Sequence, residues 1–143
     1  SKMGFETIFS SDWKHYQETF LSIVSETCFD NNSIYFSEKT IKPLLHMHPF
    51  IMMSTPYTLQ KLNELGFKTF DGFIDEGYDR IKQTKERFEM ILREIDKFND
   101  KPFEELKNWW TDILPILEHN QKRLLELGKQ KTEKIKLLEK IND

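Results

Sequence analysis

The chain has 143 residues, of which 38% are hydrophobic and 31% charged, with a net charge of -3 and a pI near 5.8. That length suits one domain with a real core, and the acidic balance argues against a general nucleic-acid binder while permitting a local basic pocket. No apolar run approaches the roughly 18–20 residues of a bilayer span, no signal-peptide pattern opens the chain, and the lone Cys28 excludes an intrachain disulfide or a cysteine-rich metal site.

In chain order, Asp12 can cap a first helix whose apolar residues Trp13, Tyr16 and Phe20 recur at three- and four-residue spacing. Leu21-Ser22-Ile23-Val24 is a short β-branched run that ends at Glu26, and Phe29 to Ser33 is a loop by its Asp-Asn-Asn content. Ser37 is a good N-cap for a helix running to about Met47, in which Pro43 sits deep enough to predict a kink. Pro49-Phe50-Ile51-Met52-Met53-Ser54 reads as a buried parallel strand, apolar on both faces. Thr55-Pro56-Tyr57-Thr58 opens a helix over Leu59–Leu65, which Gly66 closes at C′, and Phe67–Phe70 is expected as a third strand. The order β-α-β-α-β predicts an α/β fold: a small parallel-sheet, Rossmann-like unit over residues 1–78.

From Asp79 the pattern is helical only, so residues 79–143 form a helical C-terminal extension expected to wrap the first unit within one structural domain. Ile81, Phe88, Ile91, Leu92, Ile95 and Phe98 make one apolar stripe. Pro102 starts a second helix carrying Phe103, Leu106, Trp109, Trp110, Ile113, Leu114 and Leu117, with a kink expected at Pro115. The tail from about Lys129 alternates lysine and glutamate around Ile135, Leu138 and Ile141, an amphipathic helix that needs a partner surface.

The chemistry concentrates at Ser37-Glu38-Lys39, between two strand-like runs. A helix start beyond a parallel strand offers backbone N–H groups and a partial positive charge to a phosphate. Lys39 and Lys42 add full positive charges, and Glu26 and Glu38 can accept hydrogen bonds from sugar hydroxyls. A capped helix with a solvated charged turn explains the same residues without a ligand. Asp75, Glu76 and Asp79 form an acidic cluster that N-capping explains. His46 and His48 lack a third ligand nearby for zinc, and His119-Asn120 reads as a packing or capping pair.

The stretch Phe20–Ser54 resembles the donor-binding motif of α-1,3-fucosyltransferases, glycosyltransferases of the GT-B type, in its C-terminal half. The matching residues are Ser25-Glu26-Thr27, then Tyr35-Phe36-Ser37-Glu38-Lys39, then Pro49-Phe50-Ile51; a longer phrase through Asp79 resembles uncharacterised viral and bacterial proteins of glycosyltransferase type. The resemblance implies a nucleotide-sugar binding site at Glu26, Tyr35, Ser37, Glu38, Lys39 and Lys42, with Glu38 on ribose or sugar hydroxyls and Lys39 on a phosphate. It implies no metal and no cofactor beyond the nucleoside-diphosphate sugar as ligand. Thr27 departs from the family's asparagine, the glycine before the second strand is absent, and the chain has room for only one of the two GT-B halves. The catalytic residues are therefore unassigned. The alternative is a non-enzymatic structural or assembly protein that keeps the fold and meets a protein partner, or a second copy, through its C-terminal helices. A cytoplasmic location is expected, or a virion-associated one if the chain is viral.

Overall fold

A computed structural model describes residues 20–26 and 36–142. The expected helix from Asp12, the loop over 29–33, Thr27, Cys28 and Tyr35 lie outside the described residues. The fold is mixed α/β and mostly helical, with strands β1 (Ser22–Val24) and β2 (Phe50–Met52) and helices α1 (Glu38–Leu45), α2 (Thr58–Glu64), α3 (Thr84–Asn99) and α4 (Phe103–Asn142). A 3₁₀ turn, Glu76–Arg80, lies between α2 and α3. No helix of the described chain is long and apolar enough to cross a membrane.

β1 and β2 pair in parallel, Ser22 with Phe50, Ile23 with Ile51 and Val24 with Met52, and α1 forms part of the crossover between them. The core gathers on this pair: Ile51 and Leu62 are fully buried, and Phe50 meets Phe70 edge-on with ring centroids 5.1 Å apart. A second aromatic group surrounds Trp109, with Phe98 at 4.9 Å and Phe20 at 5.3 Å between ring centroids.

The sheet stops at two strands among the described residues, so the expected third strand over Phe67–Phe70 does not form. Side chains take the hydrogen bonds that a strand would have used. The Tyr78 hydroxyl accepts from Met52 N at 3.2 Å, and Asn120 pairs with Lys68 as a neighbouring strand would. Its Oδ1 accepts from Lys68 N and its Nδ2 donates to Lys68 O, both at 2.8 Å.

Pro43 does not break α1, which runs unbroken to Leu45 and ends with Met47 at φ 54. His48 N donates to Pro43 O at 2.9 Å, closing the helix in the Schellman pattern although Met47 stands where glycine is usual. Gly66 closes α2 as expected, at φ +93, with Phe67 N donating to Leu62 O.

The helical half departs further from expectation. On α3 the buried residues are Arg87, Ile91, Glu94 and Phe98, while Phe88 and Leu92 are exposed and Ile81 precedes the helix. Arg87 is held by donation from Nη1 to Ile81 O at 3.0 Å, and Glu94 accepts from Asp75 N and pairs with Lys97. The two helices expected around Pro115 and Lys129 are one, α4. Pro115 is exposed, so the Thr111 carbonyl that loses its partner can turn to water. Trp109, Ile113 and Leu117 are buried in the core and form no free apolar face.

Candidate functional site

The carboxyl edge of the β1–β2 pair is built by the residues just past each strand. Glu26 lies two residues beyond β1 and is 7% exposed. Its Oε1 accepts from Ser37 N at 2.9 Å, Ser37 Oγ at 2.8 Å and Thr40 Oγ1 at 2.6 Å. Ser37 in turn accepts from Lys39 N at 3.2 Å, as an N-cap does. The strand-end acid thus anchors the start of α1 directly. Ser37 has an extended backbone, and its carbonyl receives Thr40 N and Ile41 N, each at 3.1 Å.

Ser54, two residues past β2, ties the second strand to this anchor. Its hydroxyl donates to Glu26 O at 3.2 Å and accepts from Thr58 Oγ1 at 3.4 Å. Glu26, Thr40, Ser54 and Thr58 are all buried, so a polar network spans both strand ends inside an otherwise apolar core. Such a network fixes geometry only if its members are satisfied. Thr40, Ser54 and Thr58 were not singled out in the sequence; the only signal was a hydroxyl residue shortly after each apolar run.

The predicted ligand residues then divide. Glu26 and Ser37 are brought together and turned toward each other. Glu38 and Lys42 form an i,i+4 ion pair at 3.0 Å along α1. Lys39 is exposed and makes no ion pair among the described residues. Tyr35 lies outside the described residues.

The start of α2 repeats the arrangement with a different acid. Tyr57 at its N-cap position has φ 66 and gives no side-chain cap. Asp79, from the 3₁₀ turn, supplies it instead: Oδ1 accepts from Leu59 N at 2.9 Å and Oδ2 from Gln60 N at 3.1 Å. Asp79 therefore caps a helix that precedes it by some twenty residues, and Asp75 caps its own turn through Gly77 N at 3.0 Å.

Beside Asp79 lies a cavity of about 440 Å³ lined by Gln60, Asn63, Thr69, Asp71, Glu76 and Arg80, among others. Glu76 Oε2 accepts from Phe70 N at 3.2 Å. Burial pushes its carboxyl up to about 7, aided by the charges of Asp71 and Asp79, although hydrogen bonds from Thr69 and Phe70 pull the other way. Among the described residues no group of three or more His, Cys, Asp or Glu is placed to hold a metal ion. His48 meets Ser22 through its Nδ1 and the serine Oγ, 2.8 Å apart.

His119, Asn120, Gln121 and Arg123 do structural work at the middle of α4. His119 Nε2 pairs with Gly66 O at 2.8 Å, Gln121 Nε2 donates to Leu45 O at 2.9 Å, and Arg123 Nε donates to Leu65 O at 2.8 Å. One turn and a half of α4 thus closes the carboxyl ends of both α1 and α2. Comparison of the chain with protein-family models, curated proteins and solved structures found no match.

Proposed function

We propose that the carboxyl edge of the β1–β2 pair binds a nucleoside-diphosphate sugar, as in the donor-binding half of a GT-B glycosyltransferase, with a Rossmann-like origin for the β1-α1-β2-α2 unit. The observation that carries the reading is the start of α1. It stands just past the end of a parallel strand, is fixed there by Glu26 and Ser37, and carries the exposed cation Lys39. Open α/β sheets bind ligands in this crevice, and a helix N-terminus with a neighbouring lysine suits a diphosphate.

In this reading Lys39 meets a phosphate and the first turn of α1 supplies N–H dipoles. Glu38 meets ribose or sugar hydroxyls while held by Lys42. Glu26 acts beneath the turn as a positioning residue, since one of its carboxylate oxygens is already engaged by three donors. A departing nucleoside diphosphate develops negative charge, and preorganised dipoles with a lysine lower the barrier to that departure. Calorimetric titration with GDP, UDP and their sugars tests the reading. Binding tighter than millimolar that weakens about tenfold or more in Lys39→Ala is expected, from the loss of one charge-assisted contact. Absence of binding, or binding indifferent to Lys39→Ala, refutes it.

A further inference from the structure

Helix α4 spans 40 residues, about 60 Å at 1.5 Å per residue, and only its first part lies on the rest of the protein. Its buried residues are Trp109, Ile113, Leu117 and Asn120, with Leu124 and Leu127 half-buried beyond them. Every residue from Gly128 to Asn142 is exposed. Yet the same face continues. At three- and four-residue steps, Asn120, Leu124 and Leu127 lead to Lys131, Ile135, Leu138 and Ile141, with Lys134 beside them. Ile135, Leu138 and Ile141 are 47%, 51% and 77% exposed. A projecting segment of about 22 Å therefore keeps a core-type stripe with nothing against it among the described residues.

The geometry narrows the occupant. Because the stripe is collinear with the one that packs on the body, the body stands on the same side of the helix as the uncovered face. A flat surface such as a bilayer would meet the body before it met Ile135. A second copy laid parallel would set two bodies against each other at one level, and would bring Lys131 onto Lys131 and Lys134 onto Lys134. An antiparallel second copy avoids the clash of bodies and moves Lys131 away from the partner's Lys131, with Lys134 and the partner's Lys134 the one like-charge pair left, beside the axis. The bodies then lie at opposite ends, and each projecting tail fills the step left by the other.

Charge and side-chain size support one register. With the two-fold axis between Lys134 and Ile135, the aliphatic stem of Lys131 crosses the partner's Leu138 and that of Lys134 crosses the partner's Ile135. Ile141 meets the partner's Gly128, a position with open space around it. Lys131 stands across from the partner's Glu139, giving an opposite-charge pair twice by symmetry.

We infer that the exposed stripe of α4 between Gly128 and Asn142 is an interface on which a second copy of this chain docks antiparallel. Sedimentation velocity on the full chain tests it, over about 5 to 500 µM, a range that brackets the micromolar dissociation constant of an interface smaller than about 1,200 Å². The expected result is a concentration-dependent shift from monomer to dimer that Ile135→Glu abolishes while the circular dichroism melt is unchanged. Lys131→Glu and Glu139→Lys should each weaken the dimer on the order of tenfold, since each converts two attractive pairs to repulsive ones, and the double variant should restore it. Monomer at every concentration overturns the proposal, as does an assembly that survives Ile135→Glu. A double variant weaker than both singles overturns the antiparallel register.

Discussion

Removing the Glu26 carboxylate is expected to be among the most destabilising single changes in the sheet region. Its Oε1 is shared by three donors, and Thr40 is fully buried, so Glu26→Ala strands a hydroxyl that water does not easily reach. A hydrogen bond to a charged group contributes about 1.5–3 kcal/mol, but three bonds to one oxygen are not additive. Favourable placement of a negative charge at a helix N-terminus adds about 0.3–1 kcal/mol. Together these give about 3–4 kcal/mol for Glu26→Ala, a large share of a typical stability of about 5–15 kcal/mol. Glu26→Gln keeps an acceptor oxygen and loses only charge assistance and the dipole term, so it should cost about 1–2 kcal/mol. Urea unfolding of both variants, with the slope unchanged, measures the difference. A cost below about 1 kcal/mol for Glu26→Ala would refute the carboxylate's role as the anchor of α1.

Two further outcomes follow from the same reasoning. Because burial raises the Glu76 carboxyl from 4.5 to about 7, the folded state holds that proton more tightly than the unfolded chain. Its stabilising contribution is therefore complete below about pH 4.5 and lost as pH rises through about 7, an effect of roughly 3 kcal/mol. Glu76→Gln should flatten the stability profile between pH 5 and 8 and exceed the wild type at pH 8; equal slopes in the two proteins would contradict this. Gly66→Ala should destabilise by about 1–3 kcal/mol, because φ is +93 there and an added Cβ would lie 2.6 Å from Arg123 Nε. Arg123→Ala in the same chain should recover only the part due to the clash, as thermal unfolding of the three variants would show.

The sequence made the first half legible where local rules act alone. Ser37 as a cap, Gly66 as a helix stop and Pro102 before a helix each follow from residues within a few positions of each other, and the β1–β2 pairing follows from two apolar runs separated by a helical crossover. It failed where distant side chains decide. Phe67–Phe70 has strand composition, but Asn120, more than fifty residues away, takes the hydrogen bonds of Lys68 and no strand partner is needed. The α3 stripe misled for a related reason. Arg87 and Glu94 find backbone partners in Ile81, Lys82 and Asp75, so they can be buried while Phe88 and Leu92 face solvent. Neither proline ends its helix: Pro43 lies inside α1, and Pro115 sits on the wet side of α4. At the candidate site the cap and the cation were legible, whereas the buried Thr40, Ser54 and Thr58 network was not.

The two helices that follow the parallel strands share a feature that bears on the proposed ligand. Each already holds a carboxylate of the chain at its N-terminus: Glu26 at α1 and Asp79 at α2. A helix start that would attract a phosphate is thus partly neutralised from within, and Lys39 is the exposed charge that remains in its favour. This gives the two roles considered for Glu26 opposite signs in one measurement. If Glu26 only positions the turn, its charge opposes the incoming diphosphate, and Glu26→Gln should tighten nucleotide binding by about fivefold, or about 1 kcal/mol of relieved repulsion. If Glu26 instead accepts from sugar hydroxyls, as a carboxylate at a strand end can, the same variant should weaken the nucleotide sugar and leave the free nucleotide unchanged. Parallel titrations of GDP and a GDP-sugar against Glu26→Gln distinguish these outcomes, and the buried, three-donor geometry of Oε1 favours the first.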